Sequence, residues 1–478
     1  MKLMITFYLA VFCSQIISIS DDFPQFVESR SKSKQSADKF LEITKPKGVA
    51  IHKRSLATSC SHFFTKVTAV IRGGLGFTKE VVGGIIQCKS KEEYIPMGFS
   101  KFMDALFLNP KLKVPMVRQL EQAYSDPIKP IMNMLYRTET IQLGEPFEST
   151  KRGNEFPLLE KKFLFPDDID FSHQKEFIQR CYLDQMPSER DFRTQNSRYF
   201  PKMHIYRLKE NDTGKYLIYY SGGAFLLNHY TIFTQFPRYY ADYNLVFVQY
   251  GLAPEYPYPQ GILDAIDAYH IIINRYSPKS VVLVGDSAGG HLGLQVAIYV
   301  KSHYRAASSS QDDVTTFQQQ PNCLILLSPW TDMSLAGASV SENSENDSIK
   351  PRFGLHKFRE LYLGMAIESS PLTCWDYADT SVPMQILTDL DLKRPQFSPV
   401  FRDLHGLPPI LVQTGDHEIL RSDNEQLVET LSNANNDYEH SVFPFQVHMF
   451  QTFPFLTTTR NSLSQGRSFV DRHTEISK

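Results

Sequence analysis

The sequence is poor in cysteine and tryptophan and has no excess of charge of either sign. Its 478 residues include 6 cysteines and 2 tryptophans, and no two cysteines have the Cys-x-x-Cys spacing typical of zinc sites. With 50 basic and 52 acidic residues, the net charge of -2 gives no field that attracts a nucleic-acid backbone. We therefore expect no metal site, no disulfide-stapled scaffold and no nucleic-acid partner.

Apolar residues are plentiful by contrast. They make up 42% of the chain, and 13% of the residues are aromatic, which is typical of a globular protein that buries a large core. The length fits one large α/β domain with a lid or cap, without a second core. No internal repeat is visible in the sequence.

The N-terminal residues predict entry into the secretory pathway. Lys2 precedes a nearly unbroken apolar run, Leu3–Ile19, as in secretory targeting segments. Polar residues within the run make it marginal as a membrane span, so residues 1–20 are interpreted as a signal peptide or an uncleaved signal anchor. We expect the protein to enter the secretory pathway, attached to a membrane through its N-terminus if that segment is retained, or secreted if it is cleaved.

Two further features agree with a lumenal location. The triplets that begin at Asn211 and Asn346 fit the N-glycan acceptor pattern, which predicts a glycoprotein. Cys13 lies in the apolar run and leaves five other cysteines, so at least one thiol is expected to be free. One or two disulfides are compatible with an oxidising lumen.

The rest of the chain divides into a linker, an extension and a catalytic domain. Serine- and lysine-rich residues predict a polar linker over 21–60, and residues 61–200 are assigned to an N-terminal cap or extension. The catalytic domain is expected to span 201–478, with a cap insertion at about 331–395. A Ser- and Gln-rich stretch, Ala306–Gln320, predicts a surface loop.

After residue 200, short β-rich runs alternate with longer helical patterns. This alternation predicts an α/β fold with a mostly parallel central sheet and helices on both faces. The predicted strands are 203–208, 216–220, 245–250, 281–285, 323–327, 410–414 and 440–443. The predicted helices are 261–276, 290–300 and 423–433.

A nucleophile elbow is predicted around Ser287. An apolar run, Val281–Val284, leads into Gly285–Gly290, which reads Gly-Asp-Ser-Ala-Gly-Gly, and a helical pattern follows. Residues without a side chain at 285 and 289 let the strand and the helix approach closely and expose the serine hydroxyl. We expect Ser287 to be a nucleophile, in chemistry that needs no cofactor.

A glycine turn upstream of the serine is the candidate oxyanion hole. The segment Ser221–Phe225, which reads Ser-Gly-Gly-Ala-Phe, follows a predicted strand. Backbone N–H groups in such a turn stabilise the negative charge that develops on a substrate carbonyl oxygen. We expect the N–H groups of Gly222, Gly223 and Ala288 to be the donors.

These motifs resemble those of the hormone-sensitive-lipase type of α/β-hydrolase, which includes arylacetamide deacetylases and many microbial esterases. Ser221–Phe225 stands where that family has His-Gly-Gly-Gly, with serine replacing the histidine and alanine replacing the third glycine. Gly251–Glu255 and Leu327–Asp332 resemble two further family segments, and Gly285–Gly290 matches the elbow. The resemblance covers residues 200–455 and implies an α/β-hydrolase fold with a helical cap.

The resemblance also implies a catalytic triad in the order serine, acid, histidine. His448 follows the last predicted strand, so it is the candidate general base. Three other histidines adjoin other motifs or lie within a strand and are interpreted as structural: His291, His417 and His440.

The acid has more than one candidate after the strand that ends at Thr414. Family members have Asp-x-Leu with another Asp following. When Leu420 and Asp423 are aligned with the Leu and the second Asp of that pattern, with one extra residue between them, Glu418 takes the place of the first Asp. The resemblance therefore favours Glu418 as the acid. Asp416 is the alternative acid, because it leaves the strand end directly. Asp423 is interpreted as the cap of the next helix.

Within this family, the targeting segment, the long extension and the aromatic-rich cap resemble the fungal steryl acetyl hydrolases. That resemblance implies a serine esterase that deacetylates a small lipophilic ester, such as a sterol acetate, through an acyl-enzyme. It also implies a location on the membrane or in the lumen of the endoplasmic reticulum. Two alternatives stay open. One is a non-catalytic hydrolase-fold protein that binds lipid, and the other is an esterase, lipase or amidase of another lipophilic substrate.

Overall fold

The structure of the chain is a computed structural model. The described residues are 132–133, 136–143, 162–182, 201–207, 212–304, 319–347, 349, 354–370, 385–454 and 456–474. The predicted targeting segment (1–20), the linker (21–60), Asn211 and most of the predicted loop Ala306–Gln320 lie outside them. Within the described ranges, no helix is long and apolar enough to cross a membrane.

The helices and strands belong to one compact unit, Ser90–Thr452 with Thr457–Lys478. Its strands in chain order are β1 (Arg137–Gln142), β2 (Lys202–Arg207), β3 (Lys215–Tyr220), β4 (Asn244–Gln249), β5 (Ser280–Asp286), β6 (Cys323–Leu327), β7 (Ala366–Ile367), β8 (Ile386–Leu387), β9 (Ile410–Gly415) and β10 (Tyr438–Phe443). Its α-helices are α1 (Gln174–Tyr182), α2 (Phe236–Tyr239), α3 (Gln260–Tyr276), α4 (Ala288–His303), α5 (Ser339–Glu342), α6 (His356–Leu363), α7 (Asp389–Leu392), α8 (Arg421–Asn433) and α9 (Thr457–Thr474).

Eight of the strands form one sheet in the order β1-β2-β4-β3-β5-β6-β9-β10, and β7 pairs with β8 apart from it. The pairs β1–β2 and β2–β4 are antiparallel. The five pairings from β4 to β10 are all parallel. The predicted α/β class, with a mostly parallel central sheet, is therefore confirmed.

The apolar runs of the sequence explain the centre of the sheet. All seven residues of β5 and all five of β6 are buried, as expected for parallel strands covered by helices on both faces. At the two edges, β1 and β10 consist mainly of partly exposed residues. The edge strands carry many polar side chains, whereas β6, with the sequence Cys-Leu-Ile-Leu-Leu, carries only apolar ones.

Three helices, α3, α4 and α8, pack on the central strands or on one another. Helix α4, which follows the elbow, packs on β5 and is buried from Ala288 through Val300. Helix α3 packs against α4 and turns its apolar stripe inward, whereas α8 packs on β9. Cys323 in β6 is a buried free thiol.

The predicted strands and helices after residue 200 match the observed ones to within about three residues. The predicted start of the catalytic domain at residue 201 does not match the sheet, because β1 comes from the assigned N-terminal extension. Its sequence, Arg-Thr-Glu-Thr-Ile-Gln, has one strongly apolar residue, so it carries little signal for a buried strand. Asp423 was also misassigned as a helix cap. It lies in the first turn of α8, whose N-cap residue is Leu420.

Candidate active site

Four loops converge at the carboxyl ends of neighbouring strands, which is where ligands bind in open parallel α/β sheets. The glycine turn, Ser221–Phe225, follows β3, and the elbow around Ser287 follows β5. The acid loop, which carries Glu418, follows β9, and the histidine loop, which carries His448, follows β10. The strands β3, β5, β6, β9 and β10 run in the same direction. All four loops therefore leave the sheet on the same side, at the carboxyl ends of the strands.

Ser287 lies in the tight turn between β5 and α4. Its backbone angles, φ 52° and ψ -120°, are unusual for a residue with a side chain. The turn needs glycine on both sides. A Cβ atom at 285 would overlap the backbone of Gly289, and one at 289 would overlap the carbonyl of Tyr220 in β3. The predicted strand-turn-helix geometry around Ser287 is therefore present.

His448 links the serine to a carboxylate. Its Nε2 atom lies 2.9 Å from the Oγ atom of Ser287, and its Nδ1 atom lies 3.2 Å from an Oε atom of Glu418. All three side chains are buried. An ionised carboxylate only accepts hydrogen bonds, so Nδ1 carries the proton and Nε2 is free to accept the serine hydroxyl proton.

Glu418 is held in place by groups other than the histidine. Its second carboxylate oxygen accepts hydrogen bonds from the side chain of Asn424 at 2.8 Å and from the N–H of Gly415 at 3.2 Å. Asp416, the alternative acid, follows the same strand but is partly exposed and has no hydrogen bond to His448. The structure thus brings Glu418, and not Asp416, to the histidine.

The charge around His448 favours its protonated form. Burial alone favours the neutral ring, but the hydrogen bond and the charge of Glu418 raise the pKa of His448 above its ordinary value of 6.5. The carboxylates of Asp347 and Asp286 raise this pKa further. A raised pKa makes the ring a stronger base towards the serine hydroxyl.

The three candidate oxyanion donors are not equivalent. The N–H of Gly222 donates to a carboxylate oxygen of Asp286 at 2.9 Å, and the same oxygen accepts the hydroxyl of Tyr219 at 2.5 Å. The N–H of Gly222 is therefore already occupied by Asp286, and the prediction that this N–H donates to the substrate is wrong. Within the described residues, the N–H groups of Gly223 and Ala288 have no acceptor. These two remain as the candidate donors for a substrate oxygen.

Ser221, which replaces the family histidine, anchors the glycine turn. Its hydroxyl donates to the side chain of Asn228 at 3.0 Å, and Asn228 donates to the carbonyl of Tyr250 at 3.1 Å. The hydroxyl of Tyr250 returns to the carbonyl of Ser221 at 2.9 Å. This closed set of buried hydrogen bonds ties the turn to the end of β4 despite the replacement.

The side chains of the other three histidines considered in the sequence have partners other than Ser287. His291 is buried in α4 beside the carbonyl of Trp330, and burial lowers its pKa to about 3. His417 packs on an aromatic ring in the histidine loop, and His440 contacts Thr414 across β9 and β10. All three have structural contacts, in agreement with their interpretation.

The sequence did not single out two carboxylates that shape the site. Asp286 precedes the nucleophile and holds the glycine turn, as described above. Asp347 is buried beside the triad and accepts hydrogen bonds from the backbone of Ile419 and His448. Asp286 could have been suspected from its place in the elbow, whereas Asp347 has no local signal beyond the N-glycan triplet that contains it.

A comparison with protein families matches this chain over residues 217–383 and 375–452 to a model described as alpha/beta hydrolase fold. Relatives in sequence include an esterase of Acinetobacter venetianus, 27% identical over 48% of this chain and 66% of that protein. An acetyl-hydrolase of Streptomyces hygroscopicus is 26% identical over 54% of this chain and 75% of that protein. The chain thus spans about two thirds to three quarters of the length of these relatives.

Solved structures give the same fold. An esterase from the bacterial hormone-sensitive lipase family is similar with a TM-score of 0.53 and 20% identity, over 81% of this chain and 100% of that one. A hyperthermophilic esterase from Pyrobaculum calidifontis is similar with a TM-score of 0.50 and 20% identity, over 78% of this chain and 98% of that one.

Proposed function

Because this chain has the α/β-hydrolase fold and its relatives include esterases and acetyl-hydrolases, we propose that it hydrolyses carboxylic esters through an acyl-enzyme on Ser287. One observation carries the proposal. Ser287, His448 and Glu418 are joined by two consecutive hydrogen bonds in a buried site. This contiguous triad weighs against a non-catalytic protein that only binds lipid.

In the first half of the reaction, the hydroxyl of Ser287 attacks the ester carbonyl while Nε2 of His448 takes its proton. Glu418 accepts the Nδ1–H and stabilises the imidazolium that forms. The carbonyl oxygen becomes negative and receives hydrogen bonds from the N–H groups of Gly223 and Ala288. The imidazolium then protonates the leaving alcohol, and the acyl group stays on the serine.

In the second half, water hydrolyses the acyl-enzyme. His448 removes a proton from the water, which attacks the acyl carbonyl. The oxyanion of the resulting tetrahedral intermediate is bound by the same two N–H groups. His448 then returns the proton to Ser287 as the carboxylic acid leaves. The reaction consumes one water for each ester and needs no cofactor. Since the same donors serve both halves, a loss of either donor slows both steps.

We further propose that the substrate is an acetyl or short acyl ester of a lipophilic alcohol, with a sterol acetate as the leading candidate. Two observations support this class: the targeting segment, long extension and aromatic-rich cap resemble those of fungal steryl acetyl hydrolases, and an acetyl-hydrolase is among the relatives. Aromatic residues next to the glycine turn also support it, because Phe225 stacks on Tyr362 of α6 at 3.7 Å between ring centroids. Such surroundings favour an apolar ligand.

The test is a substrate panel with a matched inactive variant. Purified protein and Ser287→Ala are incubated with acetylated sterols, aryl acetates, aryl acetamides and triglycerides, and the released acid is measured. We expect acetate from the sterol and aryl esters, and a rate lower by on the order of 10⁴-fold or more in Ser287→Ala. Faster release of acid from triglycerides or amides would overturn the proposed preference for acetyl esters. If no acid is released from any substrate, the proposal that the protein is a hydrolase is wrong.

We also propose that the protein enters the secretory pathway through residues 1–20. The basic residue and apolar run at the N-terminus support this location, as does the exposure of Asn346, the acceptor in one predicted glycan triplet. Chain expressed in eukaryotic cells is treated with an N-glycosidase and compared with Asn346→Gln. We expect the enzyme to increase the electrophoretic mobility of the native chain, and to increase that of Asn346→Gln by less. Full protease sensitivity in intact microsomes would contradict a lumenal location.

A further inference from the structure

The segment after β6 carries three buried polar side chains at a spacing of four residues. Ser339 and Asn343 lie in or next to the short helix α5, and Asp347 follows in the next turn. Their exposed fractions are 0%, 5% and 0%. A spacing of four puts side chains on one face of a helical segment, so all three point to the same neighbour. That neighbour is the acid loop, defined here as residues 416–422.

The first two side chains hold the backbone of the acid loop. The hydroxyl of Ser339 donates to the carbonyl of Ile419 at 2.6 Å and accepts the N–H of Ser422 at 2.9 Å. The side-chain amide of Asn343 donates to the carbonyls of Asp416 at 3.1 Å and Glu418 at 2.9 Å. Four backbone groups of this loop therefore have partners in the segment after β6.

Asp347 contacts the acid loop and the histidine loop together. One carboxylate oxygen accepts the N–H of Ile419 at 2.6 Å, and the other accepts the N–H of His448 at 3.1 Å. Ile419 is the residue next to the acid, and His448 is the base itself. A single buried carboxylate thus spans the two loops whose separation sets the hydrogen bond between Glu418 and His448.

We propose that Asp347 is a positioning residue of the triad, which fixes the histidine loop against the acid loop and adds a negative charge beside the imidazole of His448. The inference rests on the proposed function, in which that imidazole is the general base. Glu418 touches the imidazole directly, whereas Asp347 acts through the backbone and through its charge. The segment after β6 thus supports the two loops through the side chains of Ser339, Asn343 and Asp347, and it supplies none of the three triad residues.

The charges that face the imidazole define the expected effect. They belong to Glu418, Asp347 and Asp286, and each favours the protonated ring. Burial raises the pKa of Asp347 to about 6, and the attraction to His448 opposes that rise. Replacing Asp347 by asparagine keeps the size of the side chain but removes one of the three negative charges and one of the two oxygens that accept backbone N–H groups. The imidazolium is then less stable, so His448 should titrate at a lower pH.

The measurement is the NMR titration of His448 in protein labelled with ¹⁵N-histidine, with the signal assigned by His448→Gln. We expect the midpoint in Asp347→Asn to lie about one pH unit or more below that of the native protein, the change expected for a charge removed at short range. Turnover of p-nitrophenyl acetate should fall by about ten- to a hundredfold in kcat, with KM nearly unchanged. Asp347→Ser, whose hydroxyl still accepts one N–H, replaces Asp347→Asn if the latter does not fold.

The control is Glu342→Gln, on the same helix α5. Glu342 is exposed and pairs with Arg421 of the acid loop at 2.9 Å, without contacting the histidine loop. We expect the titration midpoint and kcat of this variant to match those of the native protein. An unchanged midpoint in folded Asp347→Asn, or an equal shift in Glu342→Gln, would overturn the proposal. The titration of His448 does not depend on ester hydrolysis. A native protein that hydrolyses no ester would therefore contradict the proposed function without contradicting the role of Asp347.

Discussion

At the scale of single residues, the hydrogen bond from His448 to Glu418 decides which carboxylate assists the base. Asp416, Glu418 and Asp423 lie within eight residues of one another in the sequence, and the spacing alone does not separate them. In the structure, Asn424 and the N–H of Gly415 orient Glu418 towards the histidine. Side-chain direction within a loop depends on such partners, so the sequence narrows the choice and the structure makes it.

Replacing the two rival carboxylates separates their roles. In Glu418→Gln, the neutral amide no longer stabilises the imidazolium or fixes the tautomer, so kcat for p-nitrophenyl acetate should fall on the order of a thousandfold or more. Asp416→Asn is the matched change two residues away, and we expect it to lose less than about threefold. Circular dichroism checks that both are folded. Near-native turnover in Glu418→Gln together with a collapse in Asp416→Asn would reverse the assignment.

The pH dependence follows from the raised pKa of His448. The base must be neutral to accept the serine proton, so activity is lost as the pH falls through the pKa of the free enzyme. Since that pKa lies above 6.5, we expect the acidic limb of log kcat/KM to be centred above pH 6.5. The profile is measured with p-nitrophenyl acetate in buffers of constant ionic strength. An acidic limb centred well below pH 6.5 would contradict the arrangement of charges described here.

At the scale of elements, the strand-elbow-helix unit depends on glycine for close approach. Gly289 in α4 lies against the carbonyl of Tyr220, so the helix begins almost in contact with β3. Runs of apolar residues predicted β5 and its neighbours well, because buried parallel strands need such side chains. The edge strand β1 was missed, because an exposed antiparallel strand carries little of that pattern.

Two glycines of α4 test this packing. An added methyl group in Gly289→Ala overlaps the backbone of β3, so we expect a loss of about 1–3 kcal/mol or more in the free energy of unfolding, and loss of turnover. In Gly293→Ala, on the same helix, the nearest neighbour of the new methyl is 3.7 Å away. This control should be neutral or up to about 1 kcal/mol more stable. Thermal unfolding measures both, and equal effects would argue against the close approach.

At the scale of the whole molecule, the active site is assembled from segments far apart in the chain at one edge of the sheet. The order of the motifs along the sequence predicted the fold class, the nucleophile and the histidine, because each motif sits at the end of a recognisable strand. Asp347 could not be predicted in this way. It lies 101 residues before His448, and only the folded chain brings its carboxylate to that backbone.

Labelling with a fluorophosphonate probe tests the central claim most directly, because the probe reacts with a serine that an adjacent base has activated. Native protein and Ser287→Ala are treated with the probe, and the modified peptide is identified by mass spectrometry. We predict one adduct, on Ser287, in the native protein and none in the variant. A native protein that does not react, or a variant that is labelled to the same extent, would contradict the assignment of Ser287 as the nucleophile.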